Sequence, residues 1–337
     1  TEDVTKPKRA SEVVAWVNVM HGCNERCTYC VVPATRGVEQ SRSPESVLGE
    51  LRQLKEAGFK EATLLGQNVD AYGRDLPNRV YFHQLLEMAA QQVQKDFRIR
   101  FVTSHPRYMS EKVVDVVAKY PDVLMPVFHI PAQSGDDVML RWMGRGYNVR
   151  KYLKIVDRIR SRLPNATITS DFIVGCPGET DAMFQATLDL MRAVRFDSCM
   201  TAAYSPRPST PMARWDGAAD AFRDYGVRVE GSTQELRDEL RRRFRERAFA
   251  DPDNLRQHVE TRKVATRALD RIDNDPLFAF DPLAEIGPAQ LEDDVKEVRL
   301  RTINDLANEH ALLRSQRYLG IVEHVLVESR NTRRPDQ

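Results

Sequence analysis

From residue 12 to 205 short apolar runs alternate with longer amphipathic ones, and this constrains the fold more than any other feature. VVAWVNVM (13–20), ATLLG (62–66), IRFVTS (99–104), LMPVFHI (124–130), TITSDFIVG (167–175) and DSCMTAAYS (197–205) read as buried strands. Between them SPESVLGELRQLKEAG, YFHQLLEMAAQQVQ, SEKVVDVVAKY, NVRKYLKIVDRIRSRL and ETDAMFQATLDLMRAV read as amphipathic helices. Near-continuous apolar strands separated by helices imply a parallel sheet covered by those helices. The class is α/β, and six such strands suit either an incomplete (β/α) barrel or a doubly wound sheet.

Polar and unusual residues collect just after these strands. Cys23, Cys27 and Cys30 follow the first, Gly66, Gln67 and Asn68 the second, and Ser104 and His105 the third. The stretch Pro131 to Gly135 (PAQSG) follows the fourth, and Gly175 to Glu179 (GCPGE) the fifth. In both candidate folds ligands bind at the carboxyl ends of parallel strands. One face of the sheet is therefore the expected active face.

Composition narrows the class. A 42% hydrophobic and 29% charged chain of 337 residues with net charge +1 reads as globular, with no global pull toward nucleic acid or membrane. No apolar run has the length of a membrane span, so no membrane partner is expected. Residues 1–11 form a tail without a signal-peptide core, and the first residue is Thr, as in an excerpt or processed chain. Five cysteines, three of them crowded together, do not resemble a secreted disulfide framework. A cytoplasmic location is expected, or an organellar one if a targeting segment preceded residue 1. The expected assembly is a monomer.

The main domain is expected over 12–215. Residues 216–290 carry long charged stretches punctuated by DPDN, DNDP, FDP and IGP, and read as a charged, mostly helical insertion. Within it STQELRDELRRRFRERAF has a capping-box pattern and six arginines between Leu236 and Arg247. That face reads as phosphate-binding or, with Asp238, Glu239 and Glu246 interleaved, as an ordinary solvated helix. A returning helix is expected over 291–318. Then LGIVEHVLVE reads as one strand, which either joins the main domain or opens a further module over 319–337.

Three clustered thiols without a fourth suggest particular metal chemistry. Thiolates suit zinc, copper(I) or iron–sulfur clusters. Structural zinc takes four protein ligands, which His21 would have to complete. A Cys27–Cys30 redox pair would leave Cys23 unexplained. A four-iron cluster on three thiolates leaves one iron open to a non-protein ligand, which is a catalytic arrangement.

The same residues resemble a known family. Cx3Cx2C just after a first strand, with Tyr29 before the last cysteine, resembles the radical S-adenosylmethionine (SAM) enzymes. GCNERCTYCVVPATRGVEQSR, LLGQNVDAYG, VTSHPRYM, HIPAQSG, MGRGY, DFIVGCPGET and YSPRPSTPMA, in this order, resemble the tRNA methylthiotransferase branch. LGQNV and TSHPR favour the MiaB type, which makes 2-methylthio-N6-dimethylallyladenosine. The resemblance covers 13 to about 214 and returns over about 295–328.

That resemblance implies a partial (β/α)6 barrel with a charged, mostly helical C-terminal insertion. It implies a [4Fe-4S] cluster on Cys23, Cys27 and Cys30, whose open iron binds SAM. One-electron cleavage of SAM then activates a C–H bond, here C2 of the modified adenine, and a second SAM supplies the methyl group. Tyr29 is placed near the SAM adenine, and Gly66, Gln67 and Asn68 near its methionyl amino group. Gln133, Ser134, Gly135 and Arg145 are candidates for its ribose and carboxylate, Arg being suited to a carboxylate fork. Asp171, an acid in a buried strand, is costly unless paired and joins the cofactor candidates. His105 and His129 read as hydrogen-bonded structural histidines. Arg36, Arg42 and Arg207 border the active face as candidates for phosphates of the tRNA anticodon loop. A one-electron donor such as flavodoxin or ferredoxin is the further expected partner.

The sequence departs from the family in three places. The family's preceding domain, expected to hold a second [4Fe-4S] cluster, is not within these residues. Only the first strand of its C-terminal TRAM-like RNA-binding module is recognisable. The 216–290 insertion has no assigned function. Cys176 and Cys199 read as buried core residues. Two neighbouring substrates stay open: threonylcarbamoyl-adenosine in tRNA and an aspartate of a ribosomal protein. So does a different class, a non-catalytic RNA-binding protein stabilised by zinc or an inactive truncated paralogue.

Overall fold

The computed structural model describes residues 9, 11–214, 233–250, 254, 256–259, 262–263, 266 and 291–318. Most of the expected 1–11 tail, most of the insertion, and the expected module at 319–337 with its LGIVEHVLVE strand lie outside the described residues.

All six anticipated strands form. They are β1 (Val14–Asn18), β4 (Glu61–Leu65), β5 (Arg98–Phe101), β6 (Val127–His129), β7 (Thr167–Val174) and β8 (Ser198–Ala203). β1, β4 and β5 make one parallel sheet and β6, β7 and β8 another. The two are stitched together where Ile99 N–H donates to Val123 O (2.7 Å) and Met125 N–H to Ile99 O (2.9 Å). Spatial order follows sequence order throughout. A doubly wound sheet would reverse at a switch point, so the architecture is the partial barrel. Two-residue strands β2 (Met20–His21) and β3 (Gln40–Ser41) pair antiparallel beside β1. They are too short for any periodicity to reveal.

The predicted helices are α2 (Pro44–Glu56), α3 (Phe82–Val93), α4 (Glu111–Lys119), α6 (Val149–Arg162) and α7 (Asp181–Val194). Side-chain caps set several of their starts: Ser43 accepts from Ser46 N–H, Asn148 from Lys151 N–H and Thr180 from Met183 N–H. Short α1 (Val32–Arg36) and α5 (Asp137–Trp142) were not anticipated; at five and six residues they carry less than two turns of pattern.

Each principal strand turns one face to the helices. Phe101 of β5 meets Phe82 of α3 edge-on at 5.3 Å, and Phe172 of β7 meets Phe196 at 5.5 Å. Ala15, Val17, Ala62, Leu64 and Ile99 are buried in the same layer. The opposite, concave face carries Trp16, Thr63, Arg100, His129, Asp171 and Met200. The expectation of wholly buried strands therefore fails at β1, where Trp16 and Asn18 are exposed, and at β8. The latter is an edge strand that alternates exposed and half-buried residues.

Two further helices, α8 (Thr233–Ala250) and α9 (Asp293–Ser315), match the C-terminal expectations. In α8 Arg241, Arg242 and Arg243 pair with Asp238, Glu239 and Glu246 of the same helix, which is the solvated-helix pattern. α9 covers the outer face of β8. Thr201 hydrogen-bonds Asn304, and Arg314 pairs with Asp197 at 3.1 Å. No described helix is long and apolar enough to cross a membrane.

Candidate active site

The loop after β1 is held from several directions before any ligand is considered. Gly22 has φ +75°, and a Cβ there would stand 2.0 Å from Val38 O, so only glycine fits. Cys23 N–H donates to Gly37 O (3.1 Å), and Asn24 exchanges hydrogen bonds with Glu39 through side chain and backbone. Buried Glu25 accepts from Tyr108 and pairs with Arg107 at 3.4 Å. Thr28 donates from its N–H to Met143 O (3.1 Å) and from its hydroxyl to Trp142 O (2.7 Å). Cys27 is buried, while Cys23 and Cys30 are half-buried. Burial pushes the Cys23 thiol up to about 11 and raises that of Cys30. Both are neutral thiols unless a metal displaces their protons.

Among the described residues no three Cys, His, Asp or Glu side chains converge closely enough to hold one metal ion. A single zinc on the three cysteines and His21 thus finds no support in the geometry.

Arg145 has a task different from the expected carboxylate fork. It is 5% exposed, and all three guanidinium nitrogens are engaged. Nη1 reaches Cys27 Sγ (3.4 Å) and Tyr29 Oη (3.3 Å), Nη2 donates to Pro131 O (3.0 Å), and Nε to Tyr147 Oη (3.2 Å). Arg145 thus sets a buried cation directly against the Cys27 sulfur. Tyr29 packs against the apolar cluster of Met139, Met143, Cys176, Tyr204 and Met212. Burial raises its hydroxyl well above the usual range.

The strand ends beyond the cysteines carry polar atoms without protein partners. Asn68 is 1% exposed with both amide atoms unpaired, and Gln67 Oε1, Gln133 Oε1 and Asp171 Oδ1 are likewise buried and unpaired. Gln133 holds φ +69° while its backbone bridges Asp171 and Ile173. Unsatisfied buried amides are costly. Unpaired amides in the loops after β4 and β6 and an unpaired carboxylate oxygen within β7 suit a polar ligand, and a donor set of three thiols beside amide donors and acceptors suits a metal cluster with a zwitterionic cofactor. Gly66 packs against Met20, where an added Cβ would lie 2.5 Å from Cγ.

Two other expectations change. Ser134 and Gly135 serve the packing of α7: Gly135 N–H donates to Thr187 Oγ1 (2.9 Å), and a Cβ on Gly135 would meet Ala186 O at 2.4 Å. Arg42 is taken up by Glu50 (2.6 Å), Asn18 O (2.7 Å) and Ser46 Oγ (2.9 Å), leaving its guanidinium occupied within the protein. Arg36 and Arg207 are exposed, at the end of α1 and in the loop after β8. Cys176 is fully buried as expected, whereas Cys199 is only half-buried in β8.

Sequence reading missed Asp70. It is buried and accepts from Ser104 Oγ (3.3 Å) and His105 N–H (3.1 Å), so it fastens the loop after β4 to the loop after β5. His105 accepts from Arg107 N–H at Nδ1 (3.1 Å), and burial holds its imidazole neutral down to about 2. His129 meets Thr169 Oγ1 (3.0 Å) and lies 3.4 Å from Asp171. Asp70 stands inside the block LLGQNVDAYG, but nothing local to it in the sequence marks it as the residue that reaches the next loop.

Burial pushes the Asp70 carboxyl up to about 7 despite its two hydrogen bonds. The folded protein therefore keeps this proton across a range where the unfolded chain has released it. The contribution is full below about pH 4, is lost as pH rises to about 7, and amounts to on the order of 4 kcal/mol. Asp70→Asn is expected to flatten the fall in stability across that window, as measured by anaerobic denaturant titration at pH 5 and pH 8. An unchanged slope would refute the assignment.

The family model described as "Radical SAM superfamily" matches residues 17–191. Among solved structures the chain is similar to the radical S-adenosylmethionine methyltransferase TsrM from Kitasatospora setae, determined with cobalamin and a [4Fe-4S] cluster bound. The match has TM-score 0.50 and 18% identity, over 62% of this chain and 40% of that one. It is also similar to the cobalamin-dependent S-adenosylmethionine radical enzyme OxsB with aqua-cobalamin and S-adenosylmethionine bound. There the TM-score is 0.50 at 12% identity, over 92% of this chain and 56% of that one. At these identities the likeness is one of fold, and the chain spans about half the length of either structure or less.

Proposed function

Because the chain belongs to the radical SAM superfamily, we propose that it is the radical core of a tRNA methylthiotransferase acting on C2 of N6-dimethylallyladenosine beside the anticodon. Membership implies a [4Fe-4S] cluster and SAM, which when bound supply one-electron cleavage chemistry for breaking an unreactive C–H bond. Cys23, Cys27 and Cys30 would hold the cluster, each thiolate on its own iron, so they need not converge on one point. Arg145 would balance the charge at Cys27. Gln67, Asn68 and Gln133 would meet the polar groups of SAM, and the apolar wall around Tyr29 and Met139 would keep water from the reacting atoms.

The finer reading rests on two sequence blocks that the fold brings together. LGQNV and TSHPR, the blocks that point to the dimethylallyl branch, are tied to each other by Asp70 through Ser104 and His105. They act as one wall of the site. Exposed Arg36 and Arg207 remain candidates for anticodon-loop phosphates. A flavodoxin or ferredoxin electron donor, and a second cluster supplying sulfur from outside these residues, complete the proposal.

The test is anaerobic cluster reconstitution, followed by SAM cleavage with anticodon stem-loop RNA. About four irons per chain and an electron paramagnetic resonance (EPR) signal altered by SAM are expected. Release of 5′-deoxyadenosine should rise with RNA carrying N6-dimethylallyladenosine and not with unmodified RNA. Zinc without iron would sink the radical reading. SAM cleavage indifferent to the dimethylallyl group would sink the substrate.

A further inference from the structure

Resting on that substrate reading, we infer that Asp171 and Met200 together recognise the N6 substituent of the target adenine, the carboxylate taking its N–H and the thioether its alkyl chain. The two residues are register partners in the parallel β7–β8 pair, so their side chains stand side by side on one face. That face is the concave one. The alternate residues turn outward, Phe172 onto Phe196 and Thr201 onto Asn304 of α9.

Asp171 is oriented and half-used. Its Oδ2 lies 3.4 Å from His129 Nε2, and His129 is itself fixed by Thr169 Oγ1 at 3.0 Å. Its Oδ1 is buried without a protein partner. Met200 beside it is 74% exposed, a large apolar side chain on the inner wall rather than in the core. The opposite edge strand presents Trp16, 57% exposed, to the same concave side. An aromatic face of this kind suits stacking of an unstacked base.

A carboxylate oxygen adjacent to a thioether complements a nitrogen bearing one hydrogen and one alkyl group. N6-Alkyladenine has this pattern. Adenine has two hydrogens and no alkyl group, and an N6,N6-dialkyladenine has no hydrogen to give. A buried acceptor left unpaired discriminates strongly against the analogue that lacks the donor. The flexible, polarisable thioether accommodates a branched alkyl chain. This gives Asp171 a role toward substrate in place of the cofactor role that the sequence suggested.

The test compares stem-loop RNAs carrying adenosine, N6-dimethylallyladenosine or N6-methyl-N6-dimethylallyladenosine. They are applied to the reconstituted protein and its Asp171→Ala, Met200→Ser and Met200→Leu variants, reading both RNA Kd and 5′-deoxyadenosine rate. The unaltered protein should prefer the mono-alkylated RNA over both others. Asp171→Ala should lose about tenfold or more of the preference over the N-methyl RNA, and Met200→Ser about tenfold of that over adenosine. Met200→Leu should keep both preferences. Iron content and the SAM-induced change in EPR report whether each variant retains its fold. Met200 is exposed, so its serine variant decides the matter even where Asp171→Ala does not load. Unchanged preferences in Met200→Ser, or in a loaded Asp171→Ala, would overturn this inference alone. Absence of any RNA preference in the unaltered protein would overturn it together with the proposed function.

Discussion

Cys27→Ser is expected to leave the reconstituted protein with little iron and no measurable 5′-deoxyadenosine formation. Cys27 is the most buried of the three cysteines and the one whose sulfur faces Arg145 at 3.4 Å. Serine is nearly isosteric, so the loop should stay docked through Thr28, Met143 and Trp142. What is lost is the soft thiolate, for which a hydroxyl is no substitute on iron. Cys176→Ser and Cys199→Ser supply the contrast. Both residues lie outside the loop, one inside an apolar cluster and one in an edge strand, so both variants should reconstitute to the level of the unaltered protein. Iron and sulfide analysis read the result directly. Full iron in Cys27→Ser would mean that the thiols serve another purpose.

The sequence disclosed the strands and the longer helices because burial imposes a period on them. Phe82, Leu85, Leu86, Ala89 and Val93 mark the inner side of α3, and no other element asks for that spacing. The active face was legible for a related reason: polar residues after apolar strands have no role in the core. What each residue does there was less legible. Gln133, Ser134 and Gly135 are neighbours in one block, yet Gln133 offers an unpaired amide while Ser134 and Gly135 fasten α7. Arg145 and Arg42 looked like free cations; Arg145 is consumed by Cys27 and Tyr29, far away in sequence, and by the Pro131 carbonyl, and Arg42 by Glu50, Ser46 and the Asn18 carbonyl. Such pairings depend on which loops meet, and local periodicity carries no record of that. Asp70 shows the limit most plainly, since its value lies in Ser104 and His105 reaching it across two strands.

Arg299→Ala is expected to destabilise the protein by about 3–5 kcal/mol, the range for breaking a buried ion pair by removing one member. Arg299 is 5% exposed and donates to Glu179 twice, at its carbonyl (2.7 Å) and carboxylate (2.8 Å). Its third bond, to Asp181 (2.8 Å), ends on an exposed side chain and adds little. Glu179 is buried and also accepts from Gly175 N–H (2.7 Å), so one carboxylate joins α9 to the loop at the carboxyl end of β7. Burial already raises the Glu179 carboxyl. Without the guanidinium it should hold its proton to still higher pH. The loss of stability in Arg299→Ala should therefore be smaller in acid and grow as pH rises. Arg299→Met with Glu179→Gln should recover much of it, because the uncompensated charge and not the missing bond dominates the cost. Anaerobic denaturant titration at two pH values, on the single and double variants, separates these outcomes. A single variant as stable as the unaltered protein would show that α9 holds the loop through apolar packing alone. A double variant no better than the single one would show that the hydrogen bonds, not the buried charge, set the cost.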